Sequence, residues 1–296
     1  VVLGLDEGRL LRGLAHHPNW QVIGIDKDAG RIGRIRRMLD ANGVSRSRIA
    51  VHHADPLQIG LPPYLAHLVT TERLESSGFD STAAFVTQVF GVLRPYGGRA
   101  LLPLSKAQHA RLAASVDNQR CPNHKLTAAG GQSALVRPGP LPGSAPWTHQ
   151  YADAANSSVS DDDLVKAPLG LLWFGGSSNK SILPRHGHGP TEQVVGGRLF
   201  IEGPDIIRAV DVYTGRVLWE ASLPQVGQAF NFTGHQPGAN ATGSNYVSVQ
   251  DAVYVAYQSR CVKLDPATGE MKWYFQFTPH DLHDWDAIQV PILADL

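Results

Sequence analysis

The sequence predicts two unlike halves, an α/β half with a doubly wound, mostly parallel sheet and an all-β half of short antiparallel strands. Three observations carry this. Strand and helix signals alternate with short connections up to about residue 137. A stiff Pro/Gly-rich connector follows, Arg137-Pro138-Gly139-Pro140-Leu141-Pro142-Gly143-Ser144-Ala145-Pro146. Beyond it, one stretch of sequence recurs without a gap at an offset of 54 residues. The expected division is 1–137, a connector at 138–150, and 151–296.

At 296 residues the chain is long enough for two cores. Its net charge of +0 and 18% charged residues provide no field that would draw it to nucleic acid or an anionic membrane. No apolar run reaches the roughly 18 residues that would span a bilayer. Two cysteines, Cys121 and Cys261, lie in different halves and fit neither a zinc site nor a disulfide framework. Both ends read as strands cut midway, Val1-Val2-Leu3 and Ile292-Leu293-Ala294-Asp295-Leu296, so the sequence is expected to be a fragment of something larger.

In the first half, Val1–Leu5 reads as a strand, Asp6-Glu7-Gly8 as a turn and Arg9–His16 as a helix. Gln21–Asp26 is a second strand. Arg31–Ala41 is helical, with Ile32, Ile35 and Leu39 on one face and Arg31, Arg34, Arg36 and Arg37 mostly elsewhere, either as a solvated face, the favoured reading, or as a basic patch for phosphates. Ile49–His53 and Ala66–Thr70 are further strands. A helix carries Phe85, Val89 and Val92 and stops at Pro95-Tyr96-Gly97-Gly98, and Arg99–Leu104 is the fifth strand. Ser133–Val136 is a candidate last strand. Ligands of such sheets bind at the carboxyl ends of the strands, where this sequence places Gly4, Gly8, Asp26 and Asp55.

Four segments in register then point to a family. They are Leu3-Gly4-Leu5-Asp6-Glu7-Gly8, an acid closing the second strand, Ala54-Asp55-Pro56, and Leu93-Arg94-Pro95-Tyr96-Gly97-Gly98. Their order and spacing over about residues 1–106 resemble class I S-adenosylmethionine-dependent methyltransferases, which implies a Rossmann-like domain. On that resemblance Gly4 and Gly8 let the backbone approach S-adenosylmethionine, Asp26 accepts the ribose hydroxyls, and Asp55 accepts from the adenine amino group. The sequence departs from the family at Asp6 and Val2, where a glycine and an acid are usual. An aspartate at position 6 is expected to need an unusual backbone conformation. The usual closing strand pair reads as short or missing.

In the second half, residues 197–219 align on residues 251–273. Asp211, Thr214, Gly215 and Trp219 recur as Asp265, Thr268, Gly269 and Trp273, and Leu199 and Ile201 as Val253 and Val255. Thr-Gly suits a tight turn, and the tryptophan offers a large surface to wedge against a neighbouring unit. The pattern Ala209-x-Asp211-x-x-Thr214-Gly215-x-x-x-Trp219 resembles the quinoprotein (pyrroloquinoline quinone, PQQ) β-propeller repeat; the second copy opens with Lys263 where a small residue is usual. Fewer than three such units fit into residues 151–296, and closed propellers have about 4–8 blades. An incomplete propeller is therefore expected, its missing blades supplied by the same full-length chain.

The run Thr278-Pro279-His280-Asp281-Leu282-His283-Asp284-Trp285-Asp286 is similar to a segment of PQQ-dependent alcohol dehydrogenases. The resemblance implies a base that takes the alcohol proton while hydride moves to PQQ and calcium polarises the quinone. Asp281 matches that base best and Asp284 second; the alternative is a turn in which Asp and His bind backbone groups. Asn240, Ser244 and Asn245 are polar ligands at the same rim or loop formers. His186 and His188 lack a third ligand in register, and no resident metal site is assigned. His52 and His53 read as structural.

Three functions follow from these readings: a fragment of an oxidoreductase-type quinoprotein carrying a methyltransferase-like domain, a small-molecule methyltransferase with an accessory propeller, or a non-catalytic interaction scaffold. The partners expected are a small-molecule substrate and the missing blades, without nucleic acid or a membrane span. The propeller resemblance implies a periplasmic or extracytoplasmic setting.

Overall fold

The computed structural model describes residues 1–44, 47–80, 82–176, 178–184, 188–235 and 237–276. Contacts divide the chain into two compact units, Val1–Pro142 and Gly143–Leu296.

Among the described residues the first unit is a seven-stranded sheet with helices. Its elements are β1 (Val2–Leu3), α1 (Arg9–Ala15), β2 (Val22–Asp26), α2 (Ala29–Ala41), β3 (Ile49–His53), β4 (Leu68–Thr70), α3 (Thr82–Val92), β5 (Gly98–Leu102), α4 (Lys106–Ser115), β6 (Lys125–Ala129) and β7 (Gln132–Arg137). The strand order is β3-β2-β1-β4-β5-β7-β6. The first five strands are parallel, and β7 runs antiparallel to β5 and to β6. The order turns back beside β1, so β1 and β4 flank the switch point where such sheets bind ligands.

Apolar alternation buries both faces of this sheet. Val2 joins Leu5, Leu11, Ile32, Ile35 and Leu39 in one core cluster. Its neighbour Leu3, pointing the other way, joins Ile25, Phe85, Val86, Val89, Phe90 and Leu112 in another. Asp28 caps α2 by accepting from the Arg31 N–H at 2.9 Å, and Ser105 and Gln108 form a reciprocal capping box at α4.

One expectation is corrected here, and a second in part. The closing strand pair is present: β6 and β7 form a hairpin around Gly130 and Gly131, which have φ of +58° and +74°, the backbone a two-residue turn requires. Arg34, Arg36 and Arg37 of α2 are exposed, as expected of a solvated face, but Arg31 is partly buried and departs from it. Arg31 binds Asp26, and the Arg36 guanidinium donates to the Val51 carbonyl.

The second unit contains two four-stranded antiparallel sheets among the described residues. One comprises β8 (Gln193–Val195), β9 (Arg198–Gly203), β10 (Ile206–Asp211) and β11 (Val217–Ser222); the other comprises β12 (Tyr246–Val249), β13 (Ala252–Tyr257), β14 (Arg260–Leu264) and β15 (Met271–Gln276). Each is ordered as a meander, and the two share a core of Phe200, Ile207, Ala209, Trp219, Tyr246, Val253, Val255 and Val262. The register of both shifts by one residue at the strand before the Asp-x-x-Thr-Gly turn, at Ala209/Val210 and at Lys263/Leu264. The repeat is thus structural as well as sequential. Trp147, in the connector, exchanges backbone hydrogen bonds with Val194.

Candidate functional site

The switch point of the first unit is built by three segments that follow β1, β2 and β4. Gly4 leaves β1 with φ +74°, and its carbonyl accepts from the N–H groups of Glu72 at 3.1 Å and Arg73 at 3.0 Å. A Cβ on Gly4 would collide with the Arg73 carbonyl and lie 2.7 Å from the Ser77 nitrogen. Glycine is required because the segment after β4 presses directly on it. Gly8, at φ +75°, precedes α1 and packs on Ile35 and Met38. Asp6 does not have positive φ, which corrects the expectation of an unusual backbone there. Its side chain is exposed and its N–H faces Glu72.

That N–H already has a partner. The Glu72 carboxylate spans the loop: Oε2 accepts from Asp6 N–H at 3.0 Å and Gly8 N–H at 3.3 Å, and Oε1 from Leu10 N–H at 3.0 Å. The amides that a glycine turn would turn toward an anionic ligand are satisfied from within the chain.

Asp26 is likewise engaged. It closes β2, is 0% exposed, and receives four donors. Oδ2 accepts from Leu5 N–H at 2.9 Å and Ser76 Oγ–H at 2.8 Å. Oδ1 accepts from Asp28 N–H at 2.8 Å and the Arg31 guanidinium at 2.8 Å. A carboxylate offers about four acceptor sites, so in this arrangement Asp26 has none left for ribose hydroxyls. Asp55, exposed beyond β3, uses Oδ1 to accept from Leu57 N–H at 2.8 Å. Gly4, Gly8 and Asp26 are therefore brought together, but around Glu72 and Ser76, and the side chains as they stand do not fit S-adenosylmethionine.

In the second unit the repeated turns are held alike. Asp211 Oδ1 accepts from Tyr213 N–H, and Asp265 Oδ1 from the N–H groups of Ala267 and Thr268. Those backbone donors, that of Ala267 foremost, hold the Asp265 carboxyl below the ordinary range. The Trp219 indole lies over the second turn: its Nε1–H donates to the Pro266 carbonyl at 3.0 Å, and a Cβ on Gly269 would lie 2.7 Å from its Cδ2. Trp173 does the same one unit earlier. Its Nε1–H donates to the Val212 carbonyl at 2.9 Å and its ring covers Gly215. Sequence comparison missed this third tryptophan, which stands 46 rather than 54 residues ahead of Trp219.

Asp281 and Asp284 lie outside the described residues. Among the rim candidates, Asn240 offers its carbonyl to Tyr151, and Ser244 bonds to the backbone of Tyr246; both form loops. Asn245 donates through Nδ2 to Glu202 Oε1 at 2.6 Å. Glu202, unmarked by the sequence reading, is 4% exposed, and burial raises its carboxyl to about 7 against the lowering effect of Asn245 and the Gly227 N–H. Among the described residues, no group of three or more His, Cys, Asp or Glu side chains is placed to hold a metal ion, and no helix is long and apolar enough to cross a membrane.

Comparison with known proteins gives likenesses in two directions. The sequence is 31% identical over 120 residues to quinoprotein glucose dehydrogenase A of Acinetobacter calcoaceticus, a match covering 32% of this chain and 15% of that protein. A SAM-dependent methyltransferase from Aquifex aeolicus is similar in structure at TM-score 0.35 and 13% identity, over 46% of this chain and 79% of that one. A europium-containing methanol dehydrogenase is similar at TM-score 0.22 and 23% identity, over 30% of this chain and 15% of that one. No family model matches the sequence.

Proposed function

We propose that the chain is part of a quinoprotein-type oxidoreductase whose catalytic body is a β-propeller, and that its α/β unit is a methyltransferase-like module. The observation that carries this reading is the seating of Trp219 on the Pro266–Gly269 turn of the following sheet. Radially repeated four-stranded sheets are held by such contacts. The two sheets among the described residues fall short of the about four to eight that close a ring, so on this reading the remaining blades come from the rest of a longer polypeptide. Quinoprotein glucose dehydrogenase A supports the oxidoreductase class, as does the Thr278–Asp286 run. PQQ with calcium would supply the hydride acceptor; Asp281 is the residue for the alcohol proton, with Asp284 next. An extracytoplasmic setting accords with this reading.

The test is turnover. A longer protein containing this chain, reconstituted with PQQ and calcium, should reduce a dye acceptor with an alcohol or sugar, and Asp281→Asn should abolish that. Full activity in the variant, or none in the parent, counts against the proposal.

A specific observation favours a second reading for the α/β unit alone. Glu72 and Ser76 occupy the donors and acceptors that an S-adenosylmethionine site would use. On this reading the unit is a non-catalytic structural module, and methyl transfer to a small molecule is the weaker alternative.

A further inference from the structure

We infer that Glu202 and Asn245 are joined as a carboxylic acid and an amide, with one proton lying between Glu202 Oε2 and Asn245 Oδ1, and that this pair is a pH-sensitive latch between the two antiparallel sheets. The inference does not depend on the oxidoreductase reading. Glu202 lies on β9, two residues from fully buried Phe200 and so on the same inward face of the strand. Asn245 immediately precedes β12, and its carbonyl accepts from Ala256 N–H of β13 at 2.7 Å, which fixes it to the second sheet.

One hydrogen bond already crosses the interface, from Asn245 Nδ2 to Glu202 Oε1 at 2.6 Å. The other oxygen of each group, Glu202 Oε2 and Asn245 Oδ1, is buried and has no hydrogen-bond partner among the described residues. With Glu202 ionised, both are acceptors stripped of water and, but for the Gly227 N–H beside the carboxylate, lacking a donor, a costly state for a protein interior. A proton on Oε2 removes the charge and makes Oε2 the donor that Oδ1 lacks. The acid and the amide then exchange two hydrogen bonds, and both leftover atoms are satisfied at once. The proton comes from solvent and returns to it.

The surroundings agree. Facing from β12 is the Tyr246 phenol, whose O–H is turned away to the carbonyls of Thr191 and Phe200, and on which the Glu192 charge also acts. From the described part of the loop after β11 comes the Gly227 backbone N–H. In the β9–β10 turn, Asp205 accepts from Gln225 and Gln228, and on β10 Arg208 pairs with Glu220. Among the described residues no cation is bonded to Glu202. Burial raises its carboxyl from 4.5 to about 7. Below about pH 4.5 the folded and unfolded chains both hold this proton. Between there and about pH 7 the unfolded chain has released it and the folded chain has not. The folded-to-unfolded ratio therefore falls as pH rises through this window, by roughly a few hundredfold in all, and this contribution is flat above it.

Two measurements on the 296-residue chain decide the matter. In a carboxyl carbon-13 NMR titration, one glutamate should titrate near neutrality, and its signal should vanish in Glu202→Gln. Thermal unfolding of the second unit should give a midpoint that drops from about pH 5 to about pH 8 in the parent. Glu202→Gln should flatten that drop, because its amide donates to Asn245 Oδ1 and accepts from Nδ2 without a proton. Glutamates that all titrate in the ordinary range overturn the latch, and that titration needs no variant. An anomalous signal that survives Glu202→Gln, or an equally steep midpoint in the variant, overturns it too.

Discussion

Trp219 closes one sheet and is seated in the turn of the next, its ring against Gly269 and its indole N–H on the Pro266 carbonyl. Replacing it with alanine removes a large buried surface from the core shared by both sheets. The expected cost is about 3–5 kcal/mol, read as the shift of the second unit's transition in urea by far-ultraviolet circular dichroism. Trp219→Phe keeps a ring but strands the Pro266 carbonyl and should cost less. Gly269→Ala should be as severe as Trp219→Ala, since φ is +74° and the added carbon meets the ring. A mild effect of both would remove the contact on which the stacking argument stands.

For the first unit, calorimetry with S-adenosylmethionine should give no heat of binding. Saturable binding lost in Asp26→Ala would overturn the reading of a structural module. Glu72→Ala should free the amides of Asp6, Gly8 and Leu10, whose hydrogen exchange is expected to accelerate. The stability loss should be about 1–3 kcal/mol, the cost of donors left without an acceptor.

Arg31 and Asp26 form a pair at 2.8 Å, exposed by 14% and 0% respectively. Arg31→Met leaves a buried carboxylate without its cation and should cost about 3–5 kcal/mol. Adding Asp26→Asn to that variant should recover much of the loss. A double-mutant cycle that shows no coupling would mean the pair is incidental.

Most of the first unit was legible because its strands and helices carry their own periodicity. β6 was not, since Lys125-Leu126-Thr127-Ala128-Ala129 is largely exposed and has no apolar alternation; the only available sign was Gly130-Gly131. The position of Asp26 at a strand end could be read from sequence, but its saturation could not. Ser76 lies fifty residues away, and Arg31 looked like one basic residue among four. Glu202 was within reach: counting in twos from Phe200 puts it on the inward face, where a charge is out of place. For Asp281 and Asp284, the resemblance is still the whole argument.

Burial raises the Cys121 thiol to about 11. At pH 8 its thiolate is scarce, on the order of one part in a thousand, and only the thiolate reacts. Iodoacetamide should therefore leave Cys121 unmodified in the native chain and label it once urea unfolds the first unit, as read by mass spectrometry. Native labelling at pH 8 as fast as that of an unfolded thiol would contradict its burial. Reactivity should climb as pH approaches about 11.

The tryptophan seats also give the molecule a direction. In both cases the residue that fills a seat, Trp173 or Trp219, precedes in the chain the turn that receives it, around Gly215 or Gly269. As the polypeptide emerges from the ribosome, each plug is thus already waiting when its socket is made. A new sheet can close onto the one before it without waiting for anything downstream. Reversing the order of the sheets would put every socket ahead of its plug and take that head start away.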